Sequence, residues 1–146
     1  MKKMDRDKTF LIEACMCGYE DIVQLLIERG VDVNEKTEYG TALIKACFIN
    51  KEAIVKYLIE HGANVNQKTN DNETALIVAC RYGYESIAKY LIEHGANVNV
   101  KAGKETPLSL VKERGNKSLE KYLIDHLDKK RKKNKKEKKN KKRRKS

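Results

Sequence analysis

The side chains of this chain that are best suited to chemistry are its four cysteines and three histidines. They are Cys15, Cys17, Cys47, Cys80, His61, His94 and His126. Thiolates and imidazoles are the usual zinc ligands, and they also act as nucleophiles and bases in enzymes. All of them except Cys17, however, recur at intervals of 32 or 33 residues. The ligands of one metal ion lie about 2 Å from the ion. If each interval of 32 or 33 residues forms one structural unit, side chains that occur once per unit are too far apart to bind the same ion.

The cysteines are also poorly placed for disulfides. Helices that stack side by side lie about 8–10 Å apart, whereas bridged cysteines need Cα atoms within about 7 Å of each other. We therefore expect Cys15, Cys47 and Cys80 to be small buried residues in the reduced state, and Cys17 to be exposed. The sequence holds no Ser–His–Asp grouping, glycine-rich phosphate loop or HExxH motif. We expect no enzyme activity, no metal and no cofactor.

A repeated string explains this spacing. YLIEHGANVN occurs at 57–66 and again at 90–99, a related LLIERGVDVN fills 25–34, and a shortened YLIDH fills 122–126. The equivalent leucines are separated by 32, 33 and 32 residues. A fixed period near 33 predicts a stacked-repeat solenoid, in which each unit is stable only against its neighbours.

Each period contains two short amphipathic helical segments. The first opens with Thr9, Thr41, Thr74 or Thr106, and its apolar residues follow the i, i+3, i+4 spacing of one helix face. Threonine is suited to cap a helix N-terminus. The second segment ends at a histidine, which is placed favourably for the helix dipole, and then at Gly62, Gly95 or an equivalent residue. A left-handed residue, glycine or in one repeat asparagine, is expected between the two segments.

This pattern resembles the ankyrin repeat, whose first helix opens T-P-L-H-x-A and whose hairpin entry reads G-A-x-V-N. The resemblance covers about residues 7–127, and the TPL at 106–108 and the two GANVN stretches carry it. The histidine of the family motif is replaced by Ile12, Ile44, Ile77 and Ser109. The resemblance implies an all-α ankyrin-repeat solenoid of stacked helix–turn–helix units with projecting β-hairpin loops. It divides a domain at 1–128 into repeats at about 7–37, 38–69, 70–101 and 102–128, the last of them a polar terminal cap.

The C-terminal segment 129–146 has a different composition. It holds 14 Lys or Arg residues and one acid, for a net charge of +13, whereas residues 1–128 carry −2. With no apolar residue the tail cannot bury a core, and we expect it to be either disordered or a fraying extension of the last helix. Its two basic clusters resemble a nuclear localisation signal or a nucleic-acid-binding arm, although compositional drift is an open alternative. The cluster residues are Lys129, Lys130, Arg131, Lys132, Lys133, Lys141, Lys142, Arg143, Arg144 and Lys145.

The resemblance also implies where a partner would bind. In ankyrin proteins the last two residues of each first helix line the concave groove, together with the hairpin tips. Here these candidate residues are Met16, Cys17, Phe48, Ile49, Arg81, Tyr82, Glu113 and Arg114, with Tyr39 at a hairpin tip. Phe48, Ile49 and Tyr82 are unexpected at positions outside the core, and aromatic residues beside an arginine are typical of binding hot spots. The alternative is that these side chains only pack over neighbouring loops.

The sequence therefore predicts a protein–protein interaction module or scaffold that binds an unknown protein partner. The alternative is a nuclear or nucleic-acid-associated protein in which the tail binds nonspecific nucleic acid or an import receptor. The longest apolar run, at 75–80, is six residues long, against roughly 20 for a membrane-spanning helix. The charged N-terminus does not match a secretory signal. We expect an intracellular monomer, cytoplasmic or nuclear.

Overall fold

Four helix pairs follow one another along the chain in the computed structural model. The structure describes the backbone of residues 2–38 and 40–144 and the side chains of residues 10–38 and 40–143. Within these residues the helices are α1 (Lys2–Cys17), α2 (Glu20–Glu28), α3 (Ala42–Phe48), α4 (Glu52–Glu60), α5 (Ala75–Tyr82), α6 (Glu85–Glu93), α7 (Pro107–Arg114) and α8 (Lys117–Arg144). The odd-numbered helices pack on one another in one row and the even-numbered helices in a second row. The fold is the predicted all-α repeat solenoid.

Threonine caps the first helix of the last three pairs. The Thr41, Thr74 and Thr106 side chains accept hydrogen bonds from the backbone N–H three residues later, which satisfies one of the free donors at a helix start. Ser109, which replaces the family histidine, donates its backbone N–H to Thr106 and accepts the Thr106 N–H in return. The prediction is wrong for Thr9, because α1 already begins at Lys2 and Thr9 lies within the helix.

The core is one continuous stack of repeat-equivalent side chains. Leu58, Leu91 and Leu123 are fully buried, as are Ala46, Ala79 and Val111 on the first helices. Between the helices of a pair, Gly83 and Asn50 have φ angles of 74° and 60°. Asparagine is the non-glycine residue that best tolerates this left-handed conformation, as predicted.

An asparagine ladder joins the loops of successive repeats. The Asn34 side chain donates to the Gly62 carbonyl at 2.9 Å and accepts the Asn64 N–H at 2.6 Å. Asn66 makes the same two contacts with Gly95 and Asn97, at 3.0 and 2.7 Å. These contacts satisfy loop backbone groups, a glycine carbonyl and an asparagine N–H in each case, which lie beyond the helix ends and have no partner within a helix. In the described residues the first and third projecting loops close through single antiparallel bridges, Thr37 with Gly40 and Ala102 with Glu105. The second loop closes through a hydrogen bond from the Thr69 N–H to the Glu73 carbonyl oxygen at 2.9 Å.

The fourth pair departs from the plan at its end. Leu127 stands where Gly62 and Gly95 end the earlier helices, and α8 continues through it to Arg144. His126 therefore lies inside a helix, and its predicted position at a helix C-terminus is wrong. Of the two predicted states of the tail, the helical one is found, and α8 crosses residues 128 and 129 without a break. None of the described helices is long and apolar enough to cross a membrane.

Candidate functional site

Three aromatic side chains from two repeats form a cluster at the ends of α3 and α5. Phe48 and Tyr82 meet edge to face, with ring centroids 5.3 Å apart, and Tyr82 stacks on Tyr84 at 5.8 Å. The Tyr84 hydroxyl lies 3.4 Å from the Phe48 carbonyl oxygen, to which it donates. Phe48 remains 50% exposed and Tyr82 37% exposed. We call Phe48, Tyr82 and Tyr84 the aromatic patch.

The arginine beside this patch bridges two loops. The Arg81 guanidinium forms ion pairs with Glu73, in the loop before α5, and with Glu105, in the next loop, the latter at 3.1 Å. Partial burial acts to lower the Arg81 pKa, but the hydrogen bonds and charges of the two carboxylates raise it above its ordinary value. Arg81 therefore fixes the spacing of two loops on one edge of the patch.

The last repeat contributes a second arginine to the same region. Arg114 donates from Nη1 to the Arg81 carbonyl oxygen at 3.2 Å, and its side chain lies where a Cβ on Gly83 would stand. Any larger residue at position 83 would displace Arg114. Glu113 is exposed next to it.

The other predicted groove residues are placed as follows. Met16 is 50% exposed and Cys17 is also exposed, both at the end of α1, while Ile49 is half-buried. Tyr39 and Lys145 lie outside the described residues, as does the side chain of Arg144. The structure brings Phe48, Tyr82 and the backbone of Arg81 into one contiguous region.

The cysteines have the predicted environments. Cys15, Cys47 and Cys80 are buried free thiols and Cys17 is an exposed free thiol. Burial raises the pKa of Cys15 and of Cys80 to about 12, and it raises the pKa of Cys47 as well. Among the described residues no group of three or more His, Cys, Asp or Glu side chains could hold a metal ion.

Two histidines make local contacts at their helix ends. The rings of His61 and His94 stack on Tyr57 and Tyr90, with centroids 4.0 Å apart in both cases. Each Nδ1 lies 2.8 Å from the carbonyl oxygen of the same tyrosine. These contacts fit the predicted role of a polar residue at a helix end.

A polar ladder along the outer helices was not predicted from the sequence. Ser86 donates to Glu52 at 2.7 Å, and Ser118 donates to Glu85 at 2.6 Å. The serine hydrogen bond, followed by that from Lys56, lowers the pKa of Glu52; for Glu85, the bonds from Ser118 and Lys89 have the same effect. The repeated spacing of 33 or 34 residues between serine and glutamate is the signal that could have revealed these contacts.

The basic tail forms the second half of α8. From residue 129 to 143 its side chains are exposed, and the one acid among them is Glu137. At 1.5 Å per residue the helix from 129 to 144 extends about 24 Å. The polycationic segment is therefore a continuation of the fourth repeat, with charge distributed around a helix.

Comparison with known families identifies a match over most of the repeat array. A family model described as ankyrin repeats, in three copies, matches residues 11–102. The fourth helix pair, α7 and α8, lies beyond the matched residues but packs on α5 and α6 as the earlier pairs pack on one another. A search of curated proteins finds no similar sequence.

Proposed function

The chain belongs to the ankyrin-repeat family, and from this premise we propose that it binds a protein partner through the groove edge formed by the ends of α3 and α5. Ankyrin repeats are generally protein–protein interaction modules, and the family is typically non-enzymatic. The observation that carries the proposal is the aromatic patch, because its rings pack against one another while leaving Phe48 half exposed.

Two features of the patch favour binding over simple loop packing. Aromatic side chains give much contact area for little loss of conformational freedom, and hot spots are enriched in tyrosine and arginine. The Tyr84 hydroxyl and the Arg81 bridge already hold the local backbone. A partner would therefore meet a preorganised surface, and ordering it would cost little on binding.

The remaining candidate residues extend this proposed surface to either side. Met16 and Cys17 would border it from the first repeat, and Glu113 and Arg114 from the last. The charges of Glu113 and Arg114 would set orientation and partner choice more than affinity.

Site-specific photo-crosslinking in the full chain tests the proposal. A photoreactive phenylalanine analogue is placed at Tyr82, and in a matched control at Ile124, which is 38% exposed on α8. We expect a partner to crosslink from position 82 and not from 124. Equal crosslinking from both positions, or crosslinking from 124 alone, would rule out the groove edge as the binding site.

We infer a second function for the basic tail, supported by the exposed polycationic helix at 129–143. A rod of this charge attracts polyanions, and with no aromatic residue in the segment the contacts would be to phosphates, without base stacking. The boundary at residue 128 would then separate two functions, partner binding by the repeats and polyanion binding by the tail, although the continuous helix α8 spans it. The same clusters would serve as an import signal.

A charge-neutral variant of the tail tests this second function. Replacing the Lys and Arg residues of 129–145 with glutamine keeps chain length and helix propensity. The intact chain should bind random-sequence duplex DNA with an affinity that falls steeply with salt, by a log–log slope of about −0.9 per phosphate neutralised, and the variant should not. Salt-independent binding, or none at low salt, would contradict the nucleic-acid function. An identical nuclear fraction for both chains would contradict the import function.

A further inference from the structure

The first repeat exposes residues whose equivalents are buried in every later repeat. Ile22 is 45% exposed, whereas Ile54 and Ile87 in the same position are 1% exposed and Leu119 is fully buried. Phe10 is 51% exposed, and the residues equivalent to it are Ala42, Ala75 and Pro107, all buried.

The contacts of the later repeats show what normally covers this face. A depression of about 180 Å³ between α2 and α4 is lined by Glu20, Val23 and Gln24 of the first repeat and by Ile54 and Tyr57 of the second. Positions 54 and 57 therefore face the preceding repeat. Ile22 and Leu25 hold the equivalent positions and face outward from the first repeat, and Leu25 is 46% exposed.

Tyr19 extends the same apolar face. It is 57% exposed, whereas its equivalent in the third repeat, Tyr84, is half-buried and contacts the Phe48 carbonyl of the preceding repeat. Half-exposed aromatic side chains such as Phe10 and Tyr19 each leave on the order of 100 Å² uncovered. Tyr19, Ile22 and Leu25 follow one another at i, i+3 spacing from the N-cap of α2, so they share one side of that helix, and Phe10 is exposed on α1 of the same repeat. Exposed apolar surface of this extent marks an interaction site. We call Phe10, Tyr19, Ile22 and Leu25 the first-repeat face.

The opposite end of the stack has the reverse character. Positions that are Cys80, Ile77 and Ala88 in the third repeat are Lys112, Ser109 and Glu120 in the fourth. Lys112 and Ser109 are exposed. A second copy stacked head to tail would therefore set these polar groups against Phe10 and Ile22. In the register in which Ser86 contacts Glu52 and Ser118 contacts Glu85, Asp21 of the next copy would meet Lys117, but an exposed ion pair contributes little.

In place of the monomer expected from the sequence, we propose that two copies of this chain associate through their first-repeat faces in a two-fold symmetric dimer. The apolar face then meets its own equivalent, as a two-fold interface requires. This arrangement also places the two +13 tails at the far ends of eight stacked repeats, about 60 Å apart at 8–10 Å per layer. That separation is many times the Debye length of about 8 Å at physiological salt. Head-to-tail stacking would instead place one basic tail beside another copy.

The dimer would present two aromatic patches and two basic helices. Specific stable interfaces bury about 800 Å² per partner. The four residues of the first-repeat face do not supply this area alone, so the polar residues around them would have to be buried as well. We therefore expect a dissociation constant on the order of micromolar.

Sedimentation of the full chain over a range of concentrations tests the dimer. The variant Leu25→Lys places a charge on the first-repeat face, and Asp21 one turn earlier supports it within the helix. The matched control Ile124→Lys places the same charge on an exposed residue of the fourth repeat. We expect Leu25→Lys to weaken dimerisation at least tenfold, and Ile124→Lys to leave it unchanged.

A second variant keeps the proposal testable if Leu25→Lys does not fold. Tyr19→Lys introduces the residue that the second repeat carries in this position, Lys51, and it should also weaken the dimer with an unchanged helical circular-dichroism signal. A chain that stays monomeric up to several hundred micromolar would overturn the proposal and leave the face to a different partner. A dimer that survives Leu25→Lys and Tyr19→Lys, or assemblies that grow without limit, would overturn it in favour of another contact.

Discussion

The Phe48 and Tyr82 rings meet edge to face although they belong to consecutive repeats, 34 positions apart in the chain. Edge-to-face pairs contribute about 0.5–1.5 kcal/mol beyond the area that they bury. The pair therefore joins two repeats and at the same time presents aromatic surface to solvent. The arrangement explains how residues outside the core are held in place without being covered.

Core truncation and loop truncation should have very different effects on the stability of the stack. Leu58 is fully buried between helices, so Leu58→Ala should lower the free energy of unfolding by about 2–5 kcal/mol. Lys68 is exposed in a loop, so Lys68→Ala should change it by no more than about 0.5 kcal/mol. Denaturant unfolding measures both changes. A larger loss for Lys68→Ala than for Leu58→Ala would disprove the register of the repeats.

The four thiols should differ in reactivity. Burial raises the pKa of Cys15 and Cys80 to about 12, which suppresses the reactive thiolate at neutral pH, whereas Cys17 is exposed. A thiol reagent should therefore label one cysteine per native chain and four per denatured chain. Cys17→Ser should abolish native labelling. Rapid labelling of Cys47 in the native chain would contradict its burial.

The ladder on the outer helices predicts a measurable carboxyl shift. Removing the hydroxyl in Ser86→Ala should raise the folded-state pKa of Glu52 toward its ordinary value near 4.5, as followed by NMR titration. Because the Glu52 pKa is lowered in the folded state, this contact stabilises the fold above the ordinary pKa, and the stabilisation is lost as pH falls through the folded-state pKa. Ser118→Ala is the matched control, since it should shift Glu85 and leave Glu52 unchanged.

Much of this architecture could be predicted from local rules. The period located the stacked leucines, the threonines predicted three helix starts, and a single residue type in one repeated slot predicted the buried thiols. Asn50 was predicted in a left-handed conformation because few other residues tolerate it. These features depend on neighbours in the chain or on the period itself.

The features that were not predicted depend on contacts between residues far apart in the chain, or on positions where the repeat pattern is interrupted. Arg81 was predicted beside the patch, but its two ion pairs were not. They join Arg81 to Glu73 and Glu105, which lie in loops 32 residues apart, and no local sequence pattern indicates that both carboxylates reach the same arginine. Thr9 was expected to start a helix, yet the preceding residues simply continue it. In α8 the balance between helix propensity and like-charge repulsion was open from sequence, and Leu127 in a glycine position favours continuation.

Partner affinity of a groove variant tests the central claim most directly. Phe48, Ile49 and Tyr82 are replaced with serine in the full chain, and binding to the crosslinked partner is measured beside a control, Ile124→Ser. Ile124 is 38% exposed and Tyr82 is 37% exposed, so the control removes an equally exposed apolar side chain that lies outside both the groove and the first-repeat face. We expect the triple variant to bind at least tenfold more weakly and to stay folded, with a melting temperature lowered only by the few degrees that loss of the aromatic pair implies. Ile124→Ser should bind normally. Unchanged binding by the folded triple variant, or an equal loss in Ile124→Ser, would contradict the account.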